Sequence, residues 1–141
     1  MKKLLLLIVV FAIAFSACKD KKEKTCSLSE ANLTGSYKIV SIKYKASASA
    51  TEMDVTDQYL DPCEKDDILT LNANHTYVYT DAGTICSPDG SYDGDWALSG
   101  NTISVDGDPA TVQDFSCSGF SLVATDAIIS GDITTLNYTK Q

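Results

Sequence analysis

The chain has 141 residues, of which 44% are hydrophobic and 21% charged, with eleven lysines and no arginine against nineteen acids and a net charge of −8. From Ala46 onward only Lys65 and Lys140 face sixteen acids, so the body of the chain repels nucleic acid and anionic lipid, and both drop out as partners. The length suits one domain with a real core and not two.

Residues 1–17 read as an export signal. Lys2 and Lys3 precede an apolar run from Leu4 to Phe15 that ends in small residues. The run falls short of the roughly 20 apolar residues a membrane span needs. Its last four residues, Phe15-Ser16-Ala17-Cys18, resemble the cleavage box of bacterial lipoproteins. That resemblance implies cleavage before Cys18 and lipidation of its thiol, which anchors the mature chain to a membrane without spanning it. The implied location is the bacterial cell envelope, at the outer membrane, with the periplasmic or surface face left open.

Residues 18–32 are expected to form the lipidated Cys and a charged, flexible tether, since Lys19 to Lys24 cannot bury apolar surface. A charged tag in this position is similar to one that sends some Bacteroidetes lipoproteins to the cell surface, though a plain solvated tether explains it better. With Cys18 taken by lipid, Cys26, Cys63, Cys86 and Cys117 form an even set in an oxidising compartment. Four cysteines allow three pairings. The preferred one joins Cys63 to Cys86 and Cys26 to Cys117, closing loops of about 24 and 92 residues and contributing roughly 3 and 4.5 kcal/mol. No two of the four are close enough in sequence for a zinc ligand pair.

Residues 33–141 read as one domain of short strands. Ser36–Lys45, Asp67–Asn72, Thr76–Asp81, Asp95–Leu98, Thr102–Val105, Thr111–Phe115, Phe120–Thr125 and Ile133–Thr139 have strand chemistry and are separated by turn residues. Gly100 or Asn101 is expected to take positive φ in a hairpin turn. A helical turn or two is expected between Val55 and Glu64, and a loop at Ala46–Thr51. Alternation points inward at Tyr37 and Ile39, or else at Val40, Ile42 and Tyr44. It then selects Leu69 and Leu71, Tyr77 and Tyr79, Trp96 and Leu98, Ile103 and Val105, and Leu136 and Tyr138. The expected fold is all-β: an antiparallel eight-stranded up-and-down barrel, with a β-sandwich as the alternative.

Three groups of residues carry a family resemblance. Leu33-Thr34-Gly35-Ser36-Tyr37-Lys38-Ile39 resembles the opening strand of lipocalin-like domains in Bacteroidetes lipoproteins. Cys63-Glu64-Lys65-Asp66-Asp67, then Asn74-His75-Thr76-Tyr77 and Cys86, is similar to their order of Cys, acidic pair, turn, aromatic strand and Cys. Gly94-Asp95-Trp96 with Gly100-Asn101-Thr102-Ile103 resembles their G-x-W and G-N-x-I hairpin. Tyr37 stands where lipocalin openings favour Trp, and the chain lacks the Arg that packs on that Trp in true lipocalins. The resemblance therefore implies the barrel more than lipocalin-type ligand binding.

Catalytic chemistry finds little support. His75 is the only histidine and sits at an expected surface turn, and no Ser has a nucleophile setting. Glu64, Asp66 and Asp67 read as part of a solvated acidic face. Asp89-Gly90-Ser91-Tyr92-Asp93-Gly94 begins like a calcium loop, but its twelfth position is Gly100 and a strand follows, so the helix–loop–helix site fails. A looser oxygen site at Asp89, Asp93 and Asp95 is weaker than a solvated loop. The Asn-x-Thr triplets at Asn32, Asn74 and Asn137 are read as coincidence. The expectation is a non-enzymatic lipoprotein without cofactor or metal that binds a small apolar molecule through Tyr37, Tyr77, Tyr79 and Trp96. The alternative is a structural or protein-interaction lipoprotein with a filled barrel, its protein partner unknown.

Overall fold

The computed structural model describes residues 26–141. All eight expected strands form, and a two-residue strand joins them. In chain order they are β1 (Gly35–Lys45), β2 (Met53–Asp54), β3 (Ile68–Leu71), β4 (Thr76–Thr80), β5 (Tyr92–Ser99), β6 (Thr102–Val105), β7 (Asp108–Ser116), β8 (Gly119–Thr125) and β9 (Ile133–Lys140). Neighbours pair antiparallel in the order β1-β3-β4-β5-β6-β7-β8-β9, and β9 pairs back with β1, which closes the sheet into an eight-stranded up-and-down barrel. Closure leaves no pair of opposed sheets, so the sandwich alternative falls. The short β2 adds to the upper end of β1 through Lys43 and Tyr44.

Turn chemistry fixes the register. Ser99 pairs with Thr102 across Gly100 and Asn101, and Gly100 takes φ +60° as its missing Cβ allows. Val105 pairs with Asp108 across Asp106 and Gly107, both at positive φ, a two-residue hairpin that the sequence reading passed over.

The inward face of β1 follows both expected alternatives in turn. A register shift between Ile39 and Ser41 inserts an extra residue, so Tyr37 and Ile39 face inward below it and Ile42 and Tyr44 above it. Val40, at the shift itself, is exposed.

Two short helices accompany the strands. The helical turn expected between Val55 and Glu64 is α2, Thr56–Tyr59. Helix α1, Glu30–Leu33, lies across the stretch read as the end of the tether and the start of the first strand. Ser29 caps it by accepting the Asn32 N–H. α1 drives Leu33 into the base of the barrel, where it is fully buried against Tyr37, Leu71, Trp96, Ile103, Val112 and Phe120. The described part of the expected tether is thus fastened to the barrel, by α1 and by a disulfide from Cys26 to Cys117 in the β7–β8 turn.

The base is closed further by Lys140 at the end of β9. Its Nζ lies 5.4 Å from the centroid of the Tyr37 ring and donates to the carbonyls of Thr34 and Asn32 at 2.9 and 3.3 Å. Tyr37 completes the seal by donating its hydroxyl to the Leu33 carbonyl at 2.7 Å.

Candidate functional site

Above this filled base the barrel interior opens into a cavity of about 340 Å³. The inward alternation of β1, β3, β6, β8 and β9 supplies its aliphatic wall: Ile39, Ile42, Leu69, Val105, Leu122 and Leu136. β4, β5 and β9 supply the tyrosines at positions 77, 79, 92 and 138. The segment before β3 contributes Leu60, Glu64 and Asp67, and Gly90 of the β4–β5 loop stands at the mouth.

The aromatic groups fall into two clusters. Tyr79 and Tyr92 stack with centroids 4.9 Å apart, Tyr77 meets Tyr92 edge-on at 6.1 Å, and Tyr138 stacks on Phe120 where the cavity meets the core. Gly94 makes room for part of this. It lies opposite Tyr77 across the β4–β5 ladder, and a Cβ there would collide with the Tyr77 ring and the Asp106 carboxylate. Tyr77 can therefore reach over β5 and donate to Asp106 Oδ2 at 2.6 Å. That hydroxyl holds the Asp106 carboxyl below its ordinary range, and the Asp95 N–H adds to the effect. Burial, and then Asp106, push the Tyr77 hydroxyl well above its own ordinary value.

Asp67 is the unexpected member of the wall. Its acidic neighbours suggest a solvated face, yet it is only 4% exposed. The reason is its position just before β3, on the same side as the inward Leu69 and under the β4–β5 loop, whose Ala82 N–H it accepts. Its Oδ1 accepts the Ala82 N–H at 3.1 Å, and the Tyr79 hydroxyl acts on the same carboxylate to favour its charged form. Burial raises the Asp67 carboxyl above the usual carboxylate range despite these donors, with Asp81 and Asp66 adding to the rise. Burial and then Asp67 push the Tyr79 hydroxyl far up as well.

A second, smaller hollow of about 200 Å³ adjoins the first, and Ile42 and Leu136 line both. Its outer wall is Tyr44, Val55, Tyr59, Ala127 and Ile128. Asp132 shapes this end by accepting the N–H groups of Ala127, Ile128 and Ile129 at 2.8, 2.9 and 2.9 Å. Burial works to raise its carboxyl, but these donors and the Tyr44 hydroxyl prevail and hold it below the ordinary range.

Of the four tyrosine and tryptophan residues expected to bind ligand, Tyr77 and Tyr79 come together on the cavity wall. Tyr37 and Trp96 do not reach it. They are 1% and 3% exposed within the base, where the Trp96 Nε1 donates to the Asn72 carbonyl and burial pushes the Tyr37 hydroxyl up to about 12. Tyr92, Tyr138 and Asp67 were missed. Tyr92 falls in a stretch expected to be a loop, and the expectation for Tyr138 is only that it faces inward.

The cysteines pair as preferred, Cys63 with Cys86 and Cys26 with Cys117, with Cα separations of 5.4 and 5.3 Å. Cys18 lies outside the described residues. Among the described residues no group of three His, Cys, Asp or Glu side chains converges to hold a metal. Asp89 accepts the Ser91 N–H and shapes its own loop. His75 takes φ +67° in the β3–β4 turn, with its ring against Trp96. All three Asn of the Asn-x-Thr triplets serve local structure: Asn32 donates to the Ser27 carbonyl, Asn74 accepts from Thr76, and Asn137 bridges Ser41 and Ser121.

A family model described as a lipocalin-like domain matches residues 33–140. No curated protein and no solved structure matches the chain.

Proposed function

Because the chain belongs to the lipocalin-like domain family, whose model spans residues 33–140, we propose that it is a non-enzymatic binding protein that holds one small, largely apolar molecule in its barrel. The observation that carries this reading is the cavity of about 340 Å³ above a sealed base. It falls at the lower end of the roughly 300–1,000 Å³ typical of small-molecule sites, and its wall joins aliphatic and aromatic groups to a few fixed polar ones. A filled interior would have removed the reading.

We propose further that the mature chain is a lipoprotein anchored at Cys18 in the bacterial cell envelope, at the outer membrane. The Phe15-Ser16-Ala17-Cys18 box and the even set of disulfide-bonded cysteines support this. The chain joins the barrel at Cys26, which is bonded to the β7–β8 turn at the sealed base. An anchor eight residues earlier would hold the base toward the bilayer and leave the mouth facing away from it.

A second reading draws on Met53, Tyr59, Ile128 and Ile129, large apolar side chains that are each more than half exposed. Tyr59 and Ile128 share the smaller hollow, and Met53 pairs with Tyr44 of the same wall. A protein partner seated on this rim would cover them.

Native mass spectrometry of the full chain, extracted from its own membrane, tests these readings together. The expected result is a chain that starts at Cys18, carries acyl mass there, and retains or takes up 1-octanol-sized apolar molecules one per barrel. An unmodified Cys18 would overturn the anchor, and a barrel that neither retains nor takes up such a molecule would overturn the binding role. A stoichiometric protein in the spectrum would favour the second reading.

A further inference from the structure

The cavity is lopsided in charge. Among the described residues two carboxylates line it, Glu64 at the mouth and Asp67 in the wall, and no cationic side chain does. The five lysines among the described residues are all placed elsewhere. Lys140 seals the base, Lys43 pairs with Glu52, Lys65 pairs with Asp57 at 2.6 Å, and Lys45 donates to the Ala48 carbonyl. Lys38 lies between the inward Tyr37 and Ile39 and so faces outward. The only histidine is at the base.

Among the described residues Asp67 is therefore a buried carboxylate with one backbone N–H donor, the Tyr79 hydroxyl acting on it and no counter-ion. A charge in that position is costly unless a partner of opposite sign arrives with it. The three ligand classes fare differently against it. An anionic apolar molecule, such as a carboxylate with a hydrocarbon tail, meets like charge at the buried Asp67. A neutral apolar molecule strips remaining water from Asp67 and returns nothing. An ammonium ion supplies the missing charge and up to three donors. Tyr79, whose hydroxyl acts on Asp67, is stacked on Tyr92, so aromatic rings line the same part of the cavity as this carboxylate.

We propose that the barrel selects a small apolar amine, bound as its ammonium ion on Asp67, with its hydrocarbon part against Leu69, Leu122 and Leu136. The proposal rests on the binding reading above and narrows it to one ligand class. The modest cavity volume limits the hydrocarbon part to a short chain or a single ring.

Titration calorimetry on the full chain in lipid nanodiscs at neutral pH tests it with three probes of matched size: 2-phenylethylamine, 2-phenylethanol and phenylacetate. The expected order is amine, alcohol, acid, with the amine at least tenfold tighter than the alcohol. Asp67→Asn is expected to bring the amine-to-alcohol ratio close to one, and Glu64→Gln to lower it partway. An alcohol that binds as tightly as the amine, or an Asp67→Asn chain that keeps the full ratio, overturns the amine proposal while leaving a binding barrel. If none of the three probes binds, the binding role itself fails and takes the amine proposal with it. The ranking on the unaltered chain decides the matter even if Asp67→Asn does not fold.

Discussion

Asp67 and Asp132 are both buried aspartates, and their environments push them in opposite directions. Asp67 has its carboxyl raised by burial, with Tyr79 and the Ala82 N–H opposing and Asp81 and Asp66 reinforcing the rise. A folded state with a raised pKa binds a proton more readily than the unfolded chain, so Asp67 favours folding below its unfolded pKa and loses that contribution as pH rises through its folded one. At neutral pH its charge therefore works against the fold. Asp67→Asn keeps an oxygen for the Ala82 N–H and is expected to melt higher than the unaltered chain at pH 7, with the gap closing toward pH 3. Asp132 is the reverse case, held low by three backbone N–H groups against the opposing effect of burial. Its contribution is present above its unfolded pKa and is lost as pH falls through its folded one. Asp132→Asn, which cannot accept three N–H bonds on one oxygen, is expected to melt lower at pH 7 and to converge with the unaltered chain in acid. Melting curves across pH 3–8 check both signs, and an Asp67→Asn chain that melts lower at pH 7 would show that its hydrogen bonds outweigh its desolvation. Nothing in the sequence separated these two from the other acids, because burial of a carboxylate depends on what the loops lay over it and not on its neighbours in the chain.

Elements were far more legible than individual roles. Each strand carries its own period-2 pattern of β-branched and aromatic residues, and the turns between them use Gly, Asn and Asp, so local chemistry alone located all eight. The two candidate faces of β1 could not be reconciled from sequence, because an inserted residue between Ile39 and Ser41 makes each correct for half of the strand. Helix α1 was invisible for a different reason. Four residues are too few to show a helical period, and its value lies in the long-range burial of Leu33. The same holds for Lys140, whose partners are more than a hundred positions away in the chain. Its ammonium group ties β9 to the Asn32 and Thr34 carbonyls and to the Tyr37 ring, so Lys140→Met keeps the apolar stem but loses every one of these contacts. We expect a loss of about 2 kcal/mol in denaturant unfolding, the scale of hydrogen bonds to a charged group. A chain unchanged in stability would mean that the base is closed by Leu33 and Tyr37 alone.

At the scale of the whole molecule, the two disulfides divide the labour between the two ends of the barrel. Cys26–Cys117 ties the incoming chain to the β7–β8 turn at the sealed base, and Cys63–Cys86 ties the segment that carries Glu64 and Asp67 to the loop that carries Gly90. Both restrict the unfolded chain, the first over a separation of 91 residues and the second over 23, so serine replacements are expected to cost roughly 4.5 and 3 kcal/mol respectively. Their effects on the site should run in the opposite order. Freeing the base leaves the cavity wall in place, so the pair Cys26→Ser and Cys117→Ser is expected to keep the amine-to-alcohol binding ratio despite its larger loss of stability. Freeing the mouth releases the loop that covers Asp67, since the Ala82 and Gly90 N–H groups, which hold that loop to Asp67 and Asp81, would lose a covalent brace. The pair Cys63→Ser and Cys86→Ser should therefore admit water to Asp67 and reduce the ratio severalfold, with faster hydrogen exchange across residues 82–90. If instead the ratio follows stability, falling further in the base variant than in the mouth variant, the two ends are energetically one unit and selectivity comes from the barrel as a whole.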